Sequence, residues 1–136
     1  MDKQKARSWR PVIAGLTCGL FIGVSPFAYE LPFVDQALFG LGLLLTYTSI
    51  GVLVALLPRR GPRWLFGLIV GGLYSLPGSV FVAVPYPLQQ DVPDFYRNFA
   101  AGGVEEFTMT LIFGLLVGLV CGLALPADSK RLVTQQ

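Results

Sequence analysis

The chain has 136 residues, 54% of them hydrophobic and only 13% charged, with a mean hydropathy of +0.65 and a formal net charge of +2. That composition excludes an ordinary soluble globule. With no histidine, zinc sites of Cys and His spacing, histidine-based general catalysis and haem ligation by histidine are excluded for this chain alone.

A helix needs roughly 20 mostly apolar residues to cross a hydrocarbon core about 30 Å thick. Four segments approach or reach that length without an Asp, Glu, Lys or Arg: residues 12–28, 37–57, 64–84 and 107–125. Strands of a membrane barrel alternate apolar and polar residues, whereas these runs are apolar all round, so helices are expected. Little chain remains outside them. The expected fold is all-α, a polytopic membrane bundle of four transmembrane helices forming a single membrane domain over residues 1–136.

Charge sets the expected orientation. Lys3, Lys5, Arg7 and Arg10 precede the first span, Arg59, Arg60 and Arg63 separate the second from the third, and Lys130 and Arg131 follow the fourth. The alternate segments hold Glu30, Asp35, Asp91, Asp94, Glu105 and Glu106, with Arg97 as their one base. Nine of the ten basic residues therefore share one side. The positive-inside rule makes that side cytoplasmic, with both termini on it, and a bacterial cytoplasmic membrane is the expected location. Bases distributed in this way report topology and give no sign of nucleic-acid binding. A cleaved secretory leader is the lesser reading of the first span, because Pro26 stands three residues before a cut after Ala28, a poor match to a small-residue signal.

In the first span Gly15, Gly19 and Gly23 recur at every fourth residue, as do Gly114, Gly118 and Gly122 in the fourth. Each set lines one helix face and lets a neighbouring backbone come close. Measured from Pro11 and from Pro126 the two sets lie at matching depth, so the expectation is an antiparallel contact of the first helix with the fourth, Gly15 against Gly122, Gly19 against Gly118 and Gly23 against Gly114. The alternative is that one or both faces serve a second protomer. Gly67 and Gly71 make a single pair in the third helix. Gly-Leu-x-x-Gly at Gly15 and Gly67, and Phe-Gly-Leu at Phe39 and Phe113, form a faint tandem repeat of two hairpins.

Several polar side chains fall near mid-span. Thr17, Thr46, Ser49, Tyr74, Ser75 and Ser79 are the candidate lining of a midplane polar site of the kind that transporters use. The competing account is that the hydroxyls bond back to carbonyls of their own helices. Pro77 lacks the N–H that would serve the Leu73 carbonyl, so a kink or break of the third helix is expected there. Val92, Phe95, Tyr96 and Phe99 recur at i, i+3, i+4 and i+7, predicting a short amphipathic interfacial helix in the second outer loop, either anchored in lipid or acting as a lid. Trp9 and Trp64 stand where indole rings anchor spans. Cys18 and Cys121 both fall within spans, and no disulfide framework is indicated.

Glu105 and Glu106 need no catalytic explanation, since negative charge is favoured in the first turn of a helix. The spans hold no ionisable acid or base of the kind that proton-coupled carriers use. No catalytic, cofactor-binding or metal-binding residue is assigned, and no enzymatic activity or cofactor is expected. The expected function is a non-enzymatic helix-packing or accessory component of a membrane assembly, with the lipid bilayer and a homo-oligomer or larger membrane complex as partners. The alternative is a small oligomeric transporter or channel of unknown small-molecule substrate. An alkaline phosphatase reporter should stay inactive when fused between Arg59 and Arg63 or after Pro126, and be active when fused near Asp91; opposite behaviour at the first two positions would overturn the four-span reading.

Overall fold

The computed structural model describes residues 9–28, 31–59, 61–85, 97 and 102–126. Four α-helices follow one another: α1 (Trp9–Gly23), extended by a 3-10 turn at Ser25–Ala28, α2 (Phe33–Leu56), α3 (Arg63–Ala83) and α4 (Val104–Ala124). All four, α1 counted together with its 3-10 turn, are long and apolar enough to cross a membrane. The stripe from Val92 to Phe99 falls almost wholly outside the described residues.

Each helix begins ahead of its apolar stretch, at residue 9 against 12, 33 against 37, 63 against 64 and 104 against 107. The added turns carry Arg10, Asp35, Arg63, Glu105 and Glu106, charges that a helix can hold beyond the hydrocarbon without losing its backbone bonds. Prolines set two of the starts. Pro32 and Pro62 stand just before α2 and α3 with φ of −53° and −61°, and their carbonyls accept from Gln36 and Phe66 at 3.1 and 3.0 Å, so each proline opens a helix without having to supply an N–H. Pro26 cannot donate to Ile22, and the end of the first span tightens, with the Phe27 N–H donating to the Val24 carbonyl at 3.1 Å.

Entry to α4 needs glycine. Gly102 and Gly103 have φ of +59° and +107°, conformations that cost a residue with a Cβ. The Gly103 N–H donates to the Ala83 carbonyl at 3.0 Å, tying the start of α4 to the end of α3.

The helices pair as two antiparallel hairpins, α1 with α2 and α3 with α4, and contacts between the hairpins are sparser. Glycine decides this pairing. A methyl group on Gly15 would stand 2.7 Å from the Tyr47 carbonyl oxygen and 3.0 Å from the Gly51 Cα. On Gly19 it would stand 2.8 Å from the Leu44 carbonyl oxygen, and on Gly23 2.9 Å from that of Gly40. In the second hairpin a methyl on Gly71 would overlap the Gly114 carbonyl and stand 2.8 Å from the Gly118 Cα. On Gly122 it would overlap the Arg63 carbonyl and stand 2.9 Å from the Gly67 Cα.

The expected register between α1 and α4 is therefore corrected. Gly15, Gly19 and Gly23 face α2, and Gly114, Gly118 and Gly122 face α3. Depth matching could not discriminate between these arrangements, because any antiparallel pair of spans satisfies it. Sequential helices also supply the complementary gaps, Gly40 and Gly51 in α2 and Gly67 and Gly71 in α3. The helices α1 and α4 do meet, less extensively.

Between the hairpins lies a small core of Tyr47, Ile50 and Val54 from α2, Val70 from α3, and Val117 and Cys121 from α4, with Ala14, Cys18 and Ile22 of α1 packed against it. Ile50 and Cys121 have no exposed surface. Only 28% of the most apolar 18-residue stretch of each span is buried within the chain, and many large apolar side chains, Phe21, Leu38, Leu73 and Phe81 among them, face outward.

Gly118→Ala should destabilise the fold by about 1–3 kcal/mol, the usual cost of overpacking, because the added methyl meets the Gly67 backbone. Gly42→Ala should change stability by no more than about 1 kcal/mol, since no atom outside its own helix turn lies within 4 Å of the new methyl. Reversible unfolding in mixed micelles of rising denaturing-detergent fraction measures both.

Candidate functional site

The mid-span hydroxyls are largely occupied within their own helices. Thr17 donates to the Ile13 carbonyl at 2.9 Å, Thr46 to Gly42 at 2.8 Å, Ser49 to Leu45 at 2.8 Å and Ser79 to Ser75 at 2.9 Å. Thr48 does the same to Leu44 at 2.7 Å. Each bond spans four residues, the geometry that satisfies a hydroxyl in an apolar surrounding without a partner from another helix.

These residues also point in different directions. Thr17 is exposed on α1, Thr46 and Ser49 are half-exposed on α2, and Tyr74 is exposed on α3. Ser75 and Ser79 are buried on the same α3 face as Gly67 and Gly71, and the Ser75 hydroxyl occupies the space that a methyl on Gly114 would take. The two serines thus continue the α3–α4 seam as small packing residues. The six candidate residues therefore fall on different faces of their helices, some exposed and some buried.

At Pro77, where a kink or break is expected, the helix is not interrupted. The helix α3 runs continuously from Arg63 to Ala83 with Pro77 inside it. Pro77 is exposed, on the side away from buried Ser75 and Ser79, where its ring need not displace α4, and membrane helices tolerate a proline when the rest of the ladder holds.

Two other features stand out. The first is a stripe of α2 in which Gly42 is exposed and Thr46 and Ser49 half-exposed at helical spacing, turned away from buried Gly40 and Gly51. With both hydroxyls folded back onto carbonyls, this stripe is flat, and Leu38 and Leu45 flank it, both exposed.

The second is a groove of about 460 Å³ at the end of the bundle where α1 and α3 begin and α4 ends. Arg10, Ile13 and Ala14 of α1, Arg63 of α3 and the stretch from Leu123 to Pro126 line it. Arg63 Nη1 donates to the Leu125 carbonyl at 3.0 Å, and beside it Arg59 Nη1 donates to the Pro126 carbonyl at 3.4 Å. The two guanidiniums bond the carbonyls of the residues just past α4 and offset the negative end of its dipole.

Sequence reasoning overlooked Gly40 and Gly51, eleven residues apart and so three turns along one face of α2. It also gave Gly67 and Gly71 too little weight. Among the described residues no group of His, Cys, Asp and Glu is arranged to hold a metal ion. No protein-family model, curated protein or solved structure matches this chain.

Because their bonds stay within one helix, Thr46→Val and Ser49→Ala should each shift stability by less than about 1 kcal/mol, close to the average measured for hydrogen bonds in membrane bundles. The same micelle unfolding assay reads this, and a loss several times larger would mean that the hydroxyls serve a partner outside their helix.

Proposed function

We propose that this chain is a non-enzymatic component of a membrane assembly, joined to a second copy of itself or to a larger membrane complex through the outward face of α2. The observation that supports this reading most directly is the small-residue stripe of exposed Gly42 and half-exposed Thr46 and Ser49, turned away from Gly40 and Gly51 of the helix's own seam. In lipid, helices associate through close van der Waals packing of small residues rather than through the hydrophobic effect. A stripe of this kind outside the chain's own seams offers such a contact to another helix. The glycines of the two seams are already used within the chain, so assembly through them is not part of the proposal.

The hydroxyls bonded to their own carbonyls favour this reading over a transporter or channel, which would need polar groups available to a substrate at mid-membrane. The proposal further places the chain in a bacterial cytoplasmic membrane with both termini and the Arg59–Arg63 segment in the cytoplasm, on the distribution of nine of its ten basic residues. In the outer loop, Val92, Phe95, Tyr96 and Phe99 would lie as a short helix in the headgroup region.

Gly42→Leu tests the assembly. A Cβ at this exposed position meets no neighbouring element within 4 Å, so the monomer fold should survive, while the complex seen by crosslinking in native membranes and by mass in mild detergent should be lost. Gly118→Leu should instead lose folding itself. A wild-type chain that is monomeric in both measurements, or a Gly42→Leu chain that assembles normally, would overturn the proposal.

A further inference from the structure

The groove where α1, α3 and α4 meet has a division of character that the packing role leaves unexplained. One part is cationic: among the described residues its lining carries two guanidiniums, Arg10 and Arg63, and no carboxylate. Its remaining walls are apolar, formed by Ile13 and Ala14 on α1 and Leu123 and Ala124 on α4, all within or at the edge of helices apolar enough to cross a membrane. The Arg63 guanidinium is held by its 3.0 Å bond to the Leu125 carbonyl. It is therefore fixed at the depth where α4 ends.

We infer that this groove binds an anionic phospholipid, its phosphate between Arg10 and Arg63 and the first carbons of its acyl chains along Ile13 and Leu123. A guanidinium is a planar fork of donors that matches a phosphate in bidentate fashion, and basic pockets between membrane helices near the cytoplasmic surface suit anionic headgroups. A volume of about 460 Å³ lies in the range of small-ligand sites, roughly 300–1,000 Å³, which accommodates a headgroup with the start of its chains. The apolar walls decide between a lipid and a soluble anion, because free phosphate would gain nothing from them. Lys3, Lys5 and Arg7 ahead of α1, and Lys130 and Arg131 after α4, add positive charge to the adjoining sequence. The site does not depend on the assembly through α2.

Trp9 and Trp64 stand next to Arg10 and Arg63 in the chain, both exposed, and report lipid at this end of the bundle without a label. The full-length protein is placed in phosphatidylcholine vesicles containing a fixed minor fraction of bromine-labelled lipid, either brominated phosphatidylglycerol or brominated phosphatidylcholine, and tryptophan fluorescence is recorded. Brominated phosphatidylglycerol should quench in excess, and R10Q, which leaves the Arg63 bond in place, should lower the relative enrichment about fivefold, the weight of one basic residue near an anionic surface. R97Q, outside the groove, should retain the excess. Equal quenching of the wild type by the two lipids would overturn the assignment without recourse to any variant. Reversal of the excess by millimolar inorganic phosphate would overturn it in favour of a soluble anion, and an undiminished excess in a folded R10Q protein would move the lipid away from these arginines.

Discussion

Lipid tails are as apolar as leucine, so two helices gain little in a membrane merely by hiding apolar side chains from their surroundings. What they can gain is contact density, and this chain obtains it by leaving side chains out. Along α1 and α2 the backbone of one helix reaches that of the other at Gly15, Gly19 and Gly23; along α3 and α4 it does so at Gly67, Gly71, Gly114, Gly118 and Gly122. Each of these glycines but Gly114 admits a carbonyl or a Cα of its partner where a methyl group would collide, and Gly114 admits the Ser75 side chain. The two hairpins, the small core between them and the outward direction of nearly every large side chain follow from these two seams.

The seams also decide what is left over. Since the α3 face bearing Gly67 and Gly71 continues through Ser75 and Ser79, those serines are buried as small residues and are not presented to a channel. With Gly40 and Gly51 turned toward α1, Gly42 is turned out, and the Thr46 and Ser49 hydroxyls beside it bond to their own helix. A transport reading needs polar groups that converge, and the helical phase fixed by the seams sends these groups to different faces.

At the arginine-bearing end a different force operates. A helix C-terminus leaves carbonyls without donors and carries the negative end of the helix dipole. Arg59 and Arg63 bring positive charge to that end of α4 and bond the Pro126 and Leu125 carbonyls just past it, tying the start of α3 and the segment before it to the chain's last described residues. The same requirement that holds charge out of the hydrocarbon thus gathers guanidiniums around a recess whose walls are apolar.

Four helices long and apolar enough to cross a membrane were legible in the sequence, because the cost of placing charge in hydrocarbon restricts Asp, Glu, Lys and Arg to the segments between them. The four-residue glycine spacing identified which faces of α1 and α4 carry no side chains, because helical periodicity alone fixes a face. Which helix each face meets was decided by tertiary structure: an antiparallel neighbour at equal depth satisfies the spacing equally well whether it is α2 or α4, and the complementary gaps at Gly40, Gly51, Gly67 and Gly71 select the sequential partner. The fate of Thr17, Thr46, Ser49, Tyr74, Ser75 and Ser79 depended on the same choice. A residue's depth can be read from its position along a span, but the direction in which it points relative to the rest of the bundle exists only once the helices have packed.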